Sequence, residues 1–357
     1  MILRHQVVLK NVWHLCKRDV SGMDVNLFNY ELPKDLIARY PLERGSERLL
    51  VVERTTGNIS HLSFRDILSF LHAGDILVLN DTRVIPARIM GRKETGGRAE
   101  ILLIRSIDER KWKCLIKAAK TPKNNARIII RENLTATVES KEADVYVVSF
   151  SDPEQILLVG SVPLPPYIER EPEEADAYTY QTVYAKHDGS IAAPTAGLHF
   201  TTEILEAVRS MGVELVNVTL HVGPGTFTPV RTNSVEEHTM HDEDYYVTEH
   251  AANVLNRAMQ QGRRIVAVGT TTMRVLEHLL KKYDRIVSGR GSTNLFIYNG
   301  FSFRGAGALL TNFHLPCSTL LMLVSAFGGY ELIMDAYKEA IKQRYRFFSY
   351  GDAMLIV

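Results

Sequence analysis

Two histidines set in glycine- and proline-rich loops are the residues of this chain best suited to move protons. His199 lies in Ala193-Pro194-Thr195-Ala196-Gly197-Leu198-His199-Phe200-Thr201, and His221 in Leu220-His221-Val222-Gly223-Pro224-Gly225-Thr226-Phe227-Thr228-Pro229-Val230-Arg231. An imidazole takes or gives a proton near pH 7. Glycine allows close backbone approach to a ligand and proline fixes loop shape. The two stretches therefore read as walls of one pocket with at least one histidine lining it, although a single histidine is often only a structural hydrogen-bonder. Val268-Gly269-Thr270-Thr271-Thr272 is a strand–loop–helix corner, equally suited to an anion or nucleoside at the helix start and to a threonine cap of structural meaning. It is neither G-x-G-x-x-G nor a P-loop. Asp81 and Arg83 close a buried strand, where they orient a polar substrate or pair with each other. His314 precedes Pro316, and Tyr350 and Asp352 flank Gly351, so each of these sits in a polar, conformationally marked turn. No metal is expected: His238 and His241 have Glu237 and Asp242 nearby, but H-E-x-x-H and a third clear ligand are missing.

These residues need a scaffold, and the pattern supplies one. Between the two loops lie an amphipathic helix over 202–211, a stop at Gly212 and a strand over 213–220, with Thr201 or Thr202 placed to cap the helix. Upstream, the pattern gives a short helix at 33–40, a hairpin of 49–54 with 59–62, and a helix over 63–71 opened by Ser63 and Asp66. A buried strand follows at 76–79. Downstream, helices at 249–261, 273–283, 318–327 and 331–344 alternate with strands at 264–268, 293–298 and 353–357, and Asp244-Tyr245-Tyr246 opens another strand. Such alternation implies an α/β layer architecture. Residues 83–159 break it with short β-rich runs separated by turns, which reads as a small barrel or sandwich inserted into the larger domain. The domains are accordingly 1–72 with 160–357, an α/β catalytic domain, and 73–159, an inserted β-barrel. After the stiff Pro163-Leu164-Pro165-Pro166, the acidic stretch 169–176 reads as an exposed, mobile loop.

Charge divides sharply across the insertion. Residues 83–131 hold 14 Lys/Arg against 4 Asp/Glu, and residues 132–176 hold 2 against 11. This is either a solvated surface whose halves offset each other or a basic face for phosphates. The whole chain, 357 residues with net charge +1, has no field of its own to attract nucleic acid, so such a partner must be held by a local patch. Three scattered cysteines argue against a disulfide framework and fit a reducing cytosol. No apolar run reaches membrane-spanning length, and the N-terminus lacks the apolar core of a signal peptide.

Taken together the motifs resemble the S-adenosylmethionine:tRNA ribosyltransferase-isomerase family of queuosine biosynthesis. Besides both histidine loops and Gly269-Thr270-Thr271-Thr272, the match includes Asn29-Tyr30-Glu31-Leu32-Pro33, the run from Gly74 through Asn80-Asp81-Thr82-Arg83 to Arg88, Pro163-Leu164-Pro165-Pro166-Tyr167-Ile168, Tyr180-Gln181-Thr182-Val183-Tyr184-Ala185, Thr311-Asn312-Phe313-His314-Leu315-Pro316 and Tyr350-Gly351-Asp352-Ala353-Met354-Leu355-Ile356. Residues 1–22 fall outside the pattern and read as an extension. The resemblance implies a larger α/β domain with an inserted β-barrel. It implies a cytoplasmic enzyme that consumes S-adenosylmethionine as substrate, with no cofactor and no metal. The ribosyl group goes to the aminomethyl-7-deazaguanine (preQ1) at the wobble position of tRNA, giving epoxyqueuosine-tRNA, adenine and methionine. That chemistry calls for a base and an acid of near-neutral pKa, for which His199 and His221 are the candidates. Asp81 would face the sulfonium or the acceptor amine. Thr195, Gly197, Gly223, Gly225 and Thr226 would enclose the ribose, and Thr270, Thr271 and Thr272 would hold the methionine carboxylate. Arg83, His314, Tyr350 and Asp352 would complete the substrate site. Arg88, Arg92, Lys93 and Arg98 would grip the anticodon stem-loop. Two other classes remain: a Rossmann-type methyltransferase, against which the missing glycine fingerprint counts, and a tRNA-binding module without catalysis, which would have no need of a pocket.

Overall fold

A computed structural model describes residues 22–227 and 229–357; the extension expected at 1–22 lies, but for Gly22, outside them. In chain order a hairpin of β1 (Arg48–Val52) and β2 (Ile59–Ser63) leads to β3 (Ile76–Asn80) and β4 (Thr82–Val84). Next come β5 (Arg88–Lys93), β6 (Arg98–Ser106), β7 (Lys111–Ala118), β8 (Arg127–Arg131), β9 (Leu134–Glu142) and β10 (Val145–Phe150). The rest comprises β11 (His187–Ser190), α1 (Thr202–Ser210), β12 (Glu214–Leu220), β13 (Glu243–Val247), α2 (Glu249–Gln260), β14 (Ile265–Val268), α3 (Thr270–Tyr283), β15 (Gly289–Thr293), β16 (Ala308–Asn312), α4 (Thr319–Gly328), α5 (Tyr330–Lys342) and β17 (Ala353–Ile356).

The large sheet has nine strands in the order β15-β13-β12-β3-β14-β16-β17-β1-β2. Its centre, β12-β3-β14-β16, is parallel. Every residue of β3, β14 and β16 is buried, because helices and loops cover both faces of these strands. α2 and α3 lay Val254, Leu255, Leu276 and Leu279 against one side, while α1 and the turn Phe64–Phe70 pack Leu205, Val208, Phe64 and Ile67 on the other. The four parallel strands end together at Leu220, Asn80, Val268 and Asn312, and ligands of open α/β sheets bind off such carboxyl ends.

The insertion is a closed six-stranded barrel, β10-β7-β6-β5-β8-β9, around Ile89, Ile101, Leu103, Ile128, Val138 and Val148. The range 73–159 starts too early, since β3 belongs to the middle of the large sheet. A fully apolar run with both faces covered is a core strand and not a barrel strand with one wet face.

Four local expectations also change. The helix expected at 33–40 is a single 3-10 turn, Lys34–Leu36, because Ile37 turns extended and bridges to Phe347. The helix expected at 63–71 is 3-10 over Phe64–Phe70, with the Asp66 carboxylate accepting the Ser63 N–H at 2.9 Å as the capping box requires. The strand expected at 293–298 is instead β15, Gly289–Thr293, paired to β13. The acidic stretch 169–176 is tied down: Arg170 forks onto Asp176 with two 2.7 Å bonds, Glu169 pairs with Arg39, and Glu171 pairs with Arg88. Asp176 also accepts the Tyr350 hydroxyl at 2.8 Å, so the acidic run serves as a clasp.

Candidate active site

A narrow cleft opens off the carboxyl ends of the parallel strands. Ala193 to Ala196 form one wall and Val222 with Thr226 another, so both glycine-rich loops border one space, together with Gly269, Thr270 and Thr271 at the start of α3. Asn312, His314, Leu315, Ser349, Phe348 and Tyr167 close it from the β16 side. Among the described residues no Asp, Glu, Lys or Arg lines it. A ligand here meets neutral hydrogen-bonding groups, backbone N–H groups and apolar walls.

The helix start is open. Gly269 takes φ +90°, a conformation a side chain resists, and no side chain caps α3. α3 therefore begins at Thr270, three residues earlier than the sequence pattern marks, and its first-turn N–H groups keep their partial positive charge. Thr270 and Thr271 face the cleft, whereas Thr272 turns inward to donate to the Val268 carbonyl at 2.8 Å. Asn80 locks this corner: its Nδ2 donates to the Leu220 carbonyl and to Thr271 Oγ1, and its Oδ1 accepts from the Leu220 and Thr82 N–H groups.

The two histidines have different surroundings. His221 sits beside Val222 of the cleft wall, with Nδ1 2.8 Å from Thr82 Oγ1. Burial holds its pKa below the usual imidazole value, against the opposing pull of Asp244 and Asp81. Around it gather Asp81, whose carboxylate accepts Thr219 Oγ1 at 2.6 Å, and His187, whose Nε2 is 3.7 Å from that carboxylate. Burial raises the Asp81 pKa. Arg83 pairs with Asp188 and the Ala185 carbonyl instead of with Asp81, and it points to solvent. His199 is 2% exposed, against Phe64, with Nδ1 3.5 Å from Glu47 Oε1. None of His199, His221 and Asp81 lines the cleft itself, and of the two expected histidines only His221 adjoins a lining residue, Val222.

Of the remaining expected positions, Thr195, Thr226 and His314 line the cleft. His314 bonds through Nε2 to Thr311 Oγ1 at 2.7 Å, and loss of solvation drives its pKa down to about 3, so it is a neutral wall residue. Gly197 is required because an added Cβ would overlap the buried Tyr184 hydroxyl. Gly225 would likewise collide with the His241 ring at 2.5 Å. Asp352 accepts the Arg48 and Arg346 N–H groups at 3.0 and 2.8 Å, and Tyr350 bonds Asp176, so both hold the strand entrance and stay out of the cleft.

Residue patterns missed three features. Glu243 and Arg274 form a buried ion pair beneath the second loop: one Glu243 oxygen accepts the Gly223 N–H and the Thr226 hydroxyl, each at 2.8 Å, and the other faces Arg274. His187 joins Asp81 from a strand whose sequence, His-Asp-Gly-Ser, carries no strand signature. Asn312 lies two residues before His314 in the same motif, and an amide at a strand end carries no chemical signature of its own.

Comparison with known proteins bears on this geometry. A sequence model of the family described as queuosine biosynthesis protein matches residues 25–356. The chain belongs to that family. Among its relatives, the S-adenosylmethionine:tRNA ribosyltransferase-isomerase of Syntrophotalea carbinolica is 50% identical over 343 residues, covering 94% of this chain and 100% of the relative. The enzyme of the same name from Thermotoga petrophila is 49% identical over 341 residues, again covering 94% and 100%. The crystal structure of S-adenosylmethionine tRNA ribosyltransferase from Thermotoga maritima superposes with a TM-score of 0.55 at 39% identity, covering 93% of this chain and 100% of that one. This chain thus shares its overall fold with that solved relative.

Proposed function

We propose that this protein is an S-adenosylmethionine:tRNA ribosyltransferase-isomerase, a transferase of queuosine biosynthesis. The observation that carries the assignment is end-to-end similarity to relatives of that name, at 50% identity along 94% of the chain. The acceptor is the aminomethyl group of preQ1 at the tRNA wobble position, and the products are epoxyqueuosine-tRNA, adenine and methionine. S-adenosylmethionine is consumed as substrate, and the reaction runs in the cytosol without cofactor or metal.

The site suits the work. A C5′ proton beside the sulfonium must leave, adenine must depart carrying a proton, the C5′–S electron pair must go to sulfur, and the acceptor amine must reach C1′. The uncapped start of α3 takes the methionine carboxylate on its free N–H groups. The ribose sits between the Thr195–Gly197 turn and the Gly223–Thr226 loop. His221, held unprotonated by burial beside Asp81 and His187, is the base. The uncharged walls leave the sulfonium unneutralised, which favours its collapse to a thioether.

The test is incubation of the purified chain with S-adenosylmethionine and preQ1-bearing tRNA, after exhaustive chelation. Free adenine and methionine in equal amounts are expected. S-adenosylhomocysteine as the product, or no turnover, would overturn the assignment, and turnover restored only by a metal would overturn the metal-free part.

A further inference from the structure

Asn312 ends β16 at the floor of the cleft and is 2% exposed. Its Nδ2 donates to the Phe348 carbonyl at 3.1 Å, which fixes the amide orientation, because a flipped amide would set two oxygens against each other. Oδ1 is consequently an acceptor, and among the described residues nothing donates to it. A buried acceptor left bare costs about 1–3 kcal/mol, so in a ligand cleft it marks where a ligand donor belongs.

The wall beside it is built at a conformational cost. Phe348 has φ +72°, a left-handed conformation disfavoured for an aromatic residue. In that conformation its carbonyl holds Asn312 and its ring packs 4.7 Å from the Tyr167 ring. Phe348, Tyr167, Leu315 and Leu320 all line the cleft, with the Tyr167 hydroxyl turned to Ser349 Oγ at 2.6 Å.

Resting on the reaction proposed above, we infer that Asn312 is the residue that recognises adenine in the sulfonium nucleoside, its Oδ1 accepting the exocyclic 6-amino group while Phe348 and Tyr167 flank the base. The substrate offers this acceptor three kinds of donor, the methionine ammonium, the adenine amine and the ribose hydroxyls, and the hydroxyls go with the sugar between the two glycine-rich loops. An ammonium buried against one neutral oxygen, with no carboxylate in the lining, is far costlier to desolvate than a neutral aryl amine. The planar base also matches the apolar walls. Asn312 thereby determines specificity for a 6-amino purine over a 6-oxo purine, which would set oxygen against Oδ1.

The experiment compares S-adenosylmethionine with its 6-oxo analogue, S-inosylmethionine, as ribosyl donor, reading release of adenine or hypoxanthine. Wild type is expected to prefer the amino donor by about 100-fold or more in kcat/KM, as sites built around a hydrogen bond do. Asn312→Ala should lose most of its activity with the amino donor and compress the preference to a few-fold. Since that variant can misfold, wild-type protein is also titrated with free adenine and free hypoxanthine, and adenine alone should compete with S-adenosylmethionine. Equal use of both donors by wild type, equal competition by both bases, or undiminished preference in a folded Asn312→Ala would overturn the subsite while leaving the reaction standing. No release from either donor would overturn the reaction, and the subsite with it.

Discussion

At the scale of single residues, the chain places its titratable groups beside the cleft and leaves the lining neutral. His221 is the clearest case. A base works in its unprotonated form, and burial lowers the pKa of this imidazole, so activity should persist below pH 6.5 and fall only as pH drops through the folded-state value. The kcat/KM profile for adenine release checks this, and His221→Gln should lower kcat/KM by about 100-fold or more. The same shift has a stability consequence. The unfolded chain binds this proton at higher pH than the native one, so the stability His221 contributes is present above its unfolded pKa and lost as pH falls toward the folded value. Glu243 and Arg274 make a second residue-scale case. Glu243→Gln leaves a buried guanidinium without its counter-charge and should cost about 3–5 kcal/mol in denaturant unfolding. Replacing the pair by Leu and Met should recover most of that stability. It should not recover turnover, because the Gly223 N–H and the Thr226 hydroxyl lose the acceptor that fixes their loop.

At the scale of elements, regular pieces were legible where burial and periodicity agree, and obscure where a distant contact decides. α1 shows its cap, face and stop within its own residues, and Thr201 accepts the Ile204 N–H as its position implies. The apolar run Ile76–Leu79 of β3 was equally plain as a strand, yet its place in the large sheet depends on β12 and β14, more than a hundred residues away. The acidic run 169–176 looked loose because its partners, Arg39, Arg88 and Tyr350, are far off in sequence. The two glycine-rich loops were legible as walls of one cleft, but the sequence could not show that His199 packs under Phe64 while Asn312 reaches the floor. Gly189 makes the element-scale point testable. It sits in β11 at φ +144°, and a Cβ there would lie 2.9 Å from the His221 ring. Gly189→Ala should destabilise the fold by about 1–3 kcal/mol. It should also push the imidazole off Thr82, so the acid limb of the pH profile should shift in a variant whose histidine is intact.

At the scale of the whole molecule, part of the division in charge along the barrel sequence is neutralised in space. Arg88 is committed to Glu100 and Glu171, Lys111 to Glu139, and Arg105 to Asp244 across the domain junction. Arg92 and Arg98 differ: they stand directly opposite each other on β5 and β6, exposed, and among the described residues no carboxylate pairs with either. Like charges across a strand pair destabilise it. Nearby on the same outer face are Met90, 50% exposed, and Ile129, 45% exposed, with Ile129 opposite Arg92 on β8. A fold that tolerates such repulsion beside bare apolar side chains gains nothing from it alone, whereas an RNA backbone laid over β5, β6 and β8 would neutralise both guanidinium groups. The two accounts predict opposite signs. For a docking face, Arg92→Ser with Arg98→Ser should raise the apparent KM for tRNA by about tenfold and flatten its salt dependence by about two ion equivalents. The same change should leave the KM for S-adenosylmethionine alone and raise the melting temperature slightly, because the repulsion is gone. If the melting temperature rises while the tRNA KM and its salt slope hold, the pair is merely tolerated on a solvated surface and the RNA binds elsewhere.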